Sequence, residues 1–173
     1  MRATPCTGAE TVAGTWTIRR VVTAYVGLGS NLGEPERQIE QALELLGREE
    51  GIELRAVSTL RWTDPVGYED QPRFLNGVAE VETSLGASEL LERLLAIERR
   101  LGRERGEGPR FGPRTIDLDL LVYGDSVVDE PGLAVPHPRL AERRFALEPL
   151  AELAPELEVP GAGPVQALLA GLQ

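Results

Sequence analysis

The chain has 173 residues, 42% of them hydrophobic and 27% charged, and a net charge of -10. That length suits one domain with a sizeable core, the acidic balance argues against a broad nucleic-acid-binding face, and no apolar run nears the roughly 20 residues of a membrane span. Cys6 is the single cysteine and all eighteen basic residues are arginine, so a disulfide framework, a cysteine metal site, a P-loop lysine and a Schiff-base lysine are excluded.

Residues 1–20 show no periodicity and read as a tail, without the apolar core of a signal peptide; residues 21–173 form the expected domain, placed in the cytoplasm. A first strand is predicted over Val21 to Leu28 from its β-branched run. Gly29-Ser30-Asn31-Leu32-Gly33 turns the chain into a helix with Pro35 at its first position, Ile39, Ala42, Leu43 and Leu46 as its apolar stripe and Gly47 as its stop. A Gly-rich turn there can cradle phosphate, but it matches neither common nucleotide-binding glycine pattern and reads as structural. Ile52 to Trp62 alternates as a second strand, followed by a loop from Thr63 to Arg73 that is long enough to suspect function. Phe74 to Thr83 is a third strand. A second helix runs from Ala87 to Leu101, with Leu90, Leu91, Leu94, Leu95, Ile97 and Leu101 as its buried stripe and Gly102 as its stop.

From Arg99 to Arg114 six arginines face two glutamates, a local excess of four positive charges in an acidic protein. Glycines and prolines interrupt the segment, so Arg103 to Arg114 reads as a mobile loop that closes over bound phosphate. The stretch Gly112 to Tyr123 reads as the next strand, alternating so that Asp117 and Asp119 project to one face while Ile116, Leu118 and Leu120 turn into the core. Two carboxylates about 6–7 Å apart on one face can hold a pair of divalent cations. A solvated strand face is the plainer reading of Asp-x-Asp alone, and the adjoining arginines favour a polyphosphate between guanidinium forks and metal ions. After it come a hairpin over Tyr123 to Val128, an irregular stretch from Pro131 to Pro138, and short helices over Arg139 to Leu153 and Val165 to Leu172.

The order β-α-β-β-α-β predicts an α+β, ferredoxin-like antiparallel sheet with both helices on one face. The hairpin and short helices are C-terminal additions, and the other sheet face is left free for a cleft.

Gly29-Ser30-Asn31-Leu32-Gly33, Phe74-Leu75-Asn76, Gly112-Pro113-Arg114-Thr115-Ile116-Asp117-Leu118-Asp119, Val135-Pro136-His137 and Arg143-Arg144-Phe145 together resemble the 6-hydroxymethyl-7,8-dihydropterin pyrophosphokinase family of folate biosynthesis. The resemblance runs from Tyr25 to about Pro155. It implies transfer of pyrophosphate from ATP to the pterin hydroxymethyl oxygen, with two Mg²⁺ ions on Asp117 and Asp119 and with Arg103 and Arg114 as catalytic arginines. Glu98, Arg105, Leu120, His137 and Arg143 fall where the family meets ATP. Phe74 and Phe145 match the rings that sandwich the pterin, Asn76 suits its polar edge, and backbone near Thr63, Val66 and Gly67 completes the subsite. Phe74 stands where some members carry tyrosine and Phe111 where some carry tryptophan, and stacking survives both changes. A monomer is expected, with no nucleic-acid or membrane partner. The rival readings are a non-catalytic ferredoxin-like module, which leaves the two aspartates and the arginines unexplained, and another metal-dependent nucleotidyl or phosphodiester enzyme.

Overall fold

The computed structural model of the protein describes residues 19–103 and 111–172. Arg105 and residues 104–110 of the expected lid lie outside them, as does the tail up to residue 18. Five strands form the main sheet: β1 (Val22–Ser30), β2 (Ile52–Val57), β3 (Arg61–Thr63), β4 (Phe74–Thr83) and β5 (Asp117–Tyr123). Their order is β2-β4-β1-β5, with β3 also pairing β4, and every pairing is antiparallel. Helix α1 (Pro35–Arg48) connects β1 to β2 and α2 (Ala87–Arg100) connects β4 to β5, which is the ferredoxin-like connectivity.

The helical stripes decide which sheet face is covered first. Ile39, Ala42 and Leu46 of α1 and Leu90, Leu94 and Ile97 of α2 pack on Ala24, Val26 and Leu28 of β1, Leu75, Ala79 and Val81 of β4, and Ile116, Leu118 and Leu120 at β5. Helix α1 passes through Gly47 and ends at Arg48. The left-handed residue in the turn that follows is Gly51, at φ 83°, where the Leu85 side chain would lie 3.0 Å from an added Cβ. At the other helix the expected stop holds: Gly102 has φ 84°, and the Gly86 N–H donates to Glu89 Oε2 at 2.9 Å across its first turn.

The expected continuous strand over Ile52 to Trp62 is two strands. Ser58 interrupts it, its Oγ accepting the Val78 N–H at 2.9 Å in place of a regular ladder. Thr63 consequently ends a strand, β3, and does not open a loop. The hairpin is also displaced: β6 (Val128–Glu130) pairs β7 (Leu133–Val135), turning at Pro131 and Gly132, the latter at φ 82°.

The second sheet face carries helices too, contrary to the expectation of a free face. Alternation leaves Tyr25, Val78 and Leu121 apolar on that side, with Val122 joined to them across a bulge opposite Tyr25 and Val26. Ala146, Leu147, Leu150 and Ala151 of α3 (Arg144–Leu153) and Val165 of α4 (Val165–Ala170) cover them. A small hairpin of β8 (Glu158–Val159) and β9 (Gly163–Pro164) lies between α3 and α4 in sequence. Among the described residues no helix is long and apolar enough to cross a membrane.

Candidate active site

Where α3 stops covering this second face, a cavity of about 280 Å³ opens between β1, β3, β4, β5 and the N-terminal end of α3. Its floor is made flat by β1: Gly27 pairs Asp119 and Gly29 pairs Asp117. A Cβ on Gly29 would lie 3.0 Å from Asn76 Oδ1, so any side chain there would push the amide away. Strand alternation puts Asp117 and Asp119 on this face together, as the sequence predicts.

Both oxygens of Asp117 are engaged by arginine. Arg103 Nη1 donates to Oδ1 at 2.6 Å and Arg114 Nη1 donates to Oδ2. Burial pushes the Asp117 carboxyl up, but the two guanidiniums outweigh it and hold the group below its ordinary value. Asp119 is in the opposite situation. Burial and then the neighbouring Asp117 charge raise it to about 6, and Arg143 only partly opposes them, because its Nη1 stands 3.4 Å from Asp119 Oδ2. Asp119 thus sits where further positive charge would be favourable.

Two carboxylates on one face are hard oxygen donors, and Mg²⁺ takes one or two protein carboxylates with phosphate and water oxygens as its other ligands. Among the described residues no third metal-ligating side chain joins the pair. Asp117 keeps lone pairs not directed at the arginines, since each carboxylate oxygen can accept more than one bond.

One wall of the cavity is aromatic and polar. Phe74 of β4 and Phe145 of α3 both line it, with Thr63, Val66, Gly67 and Asn76. Asn76 is 8% exposed and donates to Thr63 Oγ1 at 2.6 Å, which fixes the orientation of its amide. The Arg143 guanidinium lies 5.7 Å from the Phe145 ring centre, a cation–π distance.

A second cavity, about 360 Å³, opens toward β5, β7 and α2 and shares Asp119 with the first. Leu120 and His137 line it with Leu91, Leu95 and Leu133. His137 is held near 4, chiefly by burial and then by Arg143, so its ring is neutral at pH 7. Its Nδ1 accepts the Arg139 N–H at 3.1 Å, and its Nε2 lies 3.5 Å from Arg143 Nη1.

Glu98 does not line either cavity. It is 1% exposed and accepts the Leu118 N–H at 2.8 Å as well as a bond from Arg103 Nη1, so it reaches the site through Arg103. The structure also brings in residues that sequence reasoning did not single out. Arg139, Glu142 and Arg144 line the first cavity, and the Arg139 guanidinium lies 5.4 Å from the Phe111 ring centre. Asn31 and Gln71 join the loops around it. Asn31 stood inside a noted motif, but neither amide has a sequence period to reveal its partners.

With this geometry in hand, similarity to known proteins is informative. Residues 25–155 match the family model described as 7,8-dihydro-6-hydroxymethylpterin-pyrophosphokinase (HPPK). The chain is 49% identical over 146 residues to the 2-amino-4-hydroxy-6-hydroxymethyldihydropteridine pyrophosphokinase of Pseudomonas aeruginosa, covering 84% of this chain and 89% of that one. It is 47% identical over 135 residues to the protein of the same name from Bacillus subtilis, covering 78% and 80%. Among solved structures, a Plasmodium falciparum HPPK-DHPS triple mutant superposes with a TM-score of 0.71 at 15% identity, covering 90% of this chain. This chain spans 45% of that longer one, and at such low identity the likeness concerns the fold.

Proposed function

From the premise that the chain belongs to the 7,8-dihydro-6-hydroxymethylpterin-pyrophosphokinase family, and is thus a pyrophosphokinase of folate biosynthesis, we propose that its donor is ATP, its acceptor 6-hydroxymethyl-7,8-dihydropterin, and its cofactor a pair of Mg²⁺ ions. The observation that carries this reading is the juxtaposition, at Asp119, of an aromatic, amide-edged cavity and a second cavity of mixed lining, with leucines beside Glu130 and His137.

The pterin ring would lie in the first cavity, stacked on Phe74 and Phe145 with its polar edge on Asn76 and the backbone near Val66 and Gly67. The adenosine would occupy the second, against Leu120, and its phosphates would pass over Asp119. Release of AMP with both phosphates kept together requires that the pterin oxygen bond to the β-phosphorus while the bridge from that phosphorus to the α-phosphate oxygen breaks. Two Mg²⁺ ions, held by Asp117 and Asp119, would offset phosphate charge and acidify the attacking hydroxyl. Arg103 and Arg114 would exchange part of their bonding from Asp117 to the transferring phosphates, where charge develops. Glu98 fixes Arg103 from beneath for that exchange. Arg143, 3.4 Å from Asp119 and beside Phe145, would meet a phosphate near Asp119, and the neutral His137 ring would face a phosphate oxygen from the second cavity. The same reading takes the enzyme as a cytoplasmic monomer.

The test is to incubate the protein with ATP, Mg²⁺ and 6-hydroxymethyl-7,8-dihydropterin and identify both products. AMP and the pterin diphosphate in equal amounts are expected. ADP with a pterin monophosphate, or AMP with free diphosphate, would overturn the reading.

A further inference from the structure

Helix α3 carries one wall of the first cavity, and a chain of polar contacts that the proposed reaction does not use ties it to the break between β2 and β3. Glu152, the last residue but one of α3, accepts two bonds from Thr59 on Oε1, one from the backbone N–H at 2.8 Å and one from the hydroxyl at 2.9 Å. Its Oε2 accepts a bond from Arg61 Nη2 at 3.0 Å. Arg61 Nη1 lies 3.5 Å from Glu148 Oε2, and Arg144 Nε donates to Glu148 Oε1 at 2.7 Å. Residues 144, 148 and 152 are spaced by four and share one side of the helix, so the chain of contacts runs along nearly its whole length. The Thr59 N–H, then its hydroxyl, and then the Arg61 charge hold the Glu152 carboxyl below its ordinary value, which keeps it ionised at neutral pH.

The break at Ser58 presents Thr59 to the helix. Ser58 takes both backbone groups of Val78, its N–H donating to the Val78 carbonyl at 2.9 Å and its Oγ accepting the Val78 N–H at 2.9 Å. The ladder to β4 stops there, and the next N–H, that of Thr59, goes to Glu152 instead. A Cβ on Gly77 would lie 2.6 Å from Leu60 Cδ2, so the chain can pass β4 this closely only because residue 77 is glycine. Pairing resumes at Arg61 and sets Thr63 opposite Phe74. The sheet wall of the cavity and its helix wall are thus joined through Arg61, two residues before Thr63, and Arg144, next to Phe145. Apolar packing of Leu147 and Leu150 against Val78 and Leu121 is non-directional and sets how closely α3 approaches the sheet. Its rotation needs directional bonds. Thr59, Arg61, Glu148 and Glu152 line neither cavity, so they act through what they hold.

We infer that Glu152 is a positioning residue for the pterin cavity: by holding Thr59 and Arg61 it fixes the rotation of α3, and with it the placement of the Phe145 ring relative to Phe74. The inference rests on the substrate reading above. Exposed ion pairs contribute little to stability, and Thr59 and Arg61 lie at the surface, where water replaces a lost bond. Removing the carboxylate therefore leaves the fold nearly as stable and frees the helix to turn on its apolar contacts. A flat ring that stacks on Phe145 feels that rotation, because stacking depends on the offset and tilt of the two rings. Nucleotide bound in the second cavity does not, since α3 does not line it.

The test is steady-state turnover of Glu152→Ala in the full chain with ATP, Mg²⁺ and 6-hydroxymethyl-7,8-dihydropterin. KM for the pterin should rise about 3- to 10-fold, a part of what one stacking contact contributes, with kcat within about twofold. Affinity for a non-hydrolysable ATP analogue with Mg²⁺, measured by calorimetry without pterin, should also stay within about twofold, and the melting temperature within about 5 °C. Adding Glu152→Ala to Phe145→Ala, which lacks the ring that Glu152 places, should raise the pterin KM by less than about twofold further, because the two act through one contact. If Glu152→Ala does not fold, Glu152→Gln, which keeps an acceptor for Thr59 and loses the charge facing Arg61, should show the same selective rise at about 2- to 4-fold. An unchanged pterin KM beside a lowered melting temperature, equal losses for pterin and nucleotide, or effects of the two substitutions that multiply in the double variant would each overturn the inference and leave Glu152 a purely structural role. Absence of turnover in the unaltered protein would overturn the substrate reading, and this inference with it.

Discussion

Replacing Asp117 and Asp119 by asparagine should abolish turnover alike and shift stability in opposite directions, although the two carboxylates are two residues apart on one strand. Either change removes a negative charge from the proposed cation pair, and losing several kcal/mol of transition-state stabilisation is on the order of 10³-fold or more in rate. From the strand alone, both variants would be expected to hold or gain stability through relief of like-charge repulsion. The arginines change that for Asp117. Its side chain is 16% exposed and pairs with Arg103, 11% exposed, and Arg114. Asparagine retains one acceptor oxygen and strands one of the two charged donors, at a cost of about 2–3 kcal/mol. For a domain of this size that is roughly 4–12 °C in Tm. Asp119 has been raised from 3.8 to about 6, a ceiling of about 3 kcal/mol against the ionised form. Its side chain is 33% exposed, so solvent screening reduces this to about 1–2 kcal/mol. A group whose folded value is raised contributes its stability below the unfolded value and loses it as pH rises through the folded one. Asp119→Asn should therefore melt roughly 2–8 °C above the unaltered protein at pH 8, with that advantage shrinking toward pH 4, where the folded group is protonated and the unfolded one about half so. The assay is thermal unfolding without nucleotide or Mg²⁺ at both pH values, alongside turnover. Shifts of the same sign at pH 8, or an Asp119→Asn advantage that grows on acidification, would refute the electrostatic assignment of the pair.

Two further outcomes follow from the same geometry. Phe145→Ala removes a ring from the first cavity, and at about 1–2 kcal/mol for a lost stacking partner and its contact area should raise KM for the pterin roughly 5- to 30-fold; an equal loss of affinity for the ATP analogue, measured by calorimetry, would contradict its assignment to the pterin side. Removal of residues 1–20 should leave turnover within about threefold, a change under 1 kcal/mol in barrier, because β1 starts at Val22 and its first core residue is Ala24; a loss above tenfold in a protein with an unchanged melting curve would give the tail a place in the site.

The sequence by itself determined what depends on local period. The two-residue alternation of β5 fixed Asp117 and Asp119 on one face and Leu118 and Leu120 on the other, and the stripes of α1 and α2 fixed which sheet face they cover. The family motifs also named Phe74, Asn76, Arg114, Asp119, His137, Arg143 and Phe145, which line the two cavities. Tertiary structure decided whatever depends on partners distant in the chain. Ser58 breaks a strand because its hydroxyl meets the Val78 N–H, and α3 closes the supposedly free face because Val78 and Leu121 need burial there. Asp117 and Asp119, alike as residues, become unlike because Arg103 and Arg114 converge on one while Arg143 barely reaches the other. The physical reason is that backbone alternation is a property of each residue's own geometry, whereas burial and electrostatic potential are sums over neighbours that only the folded chain assembles.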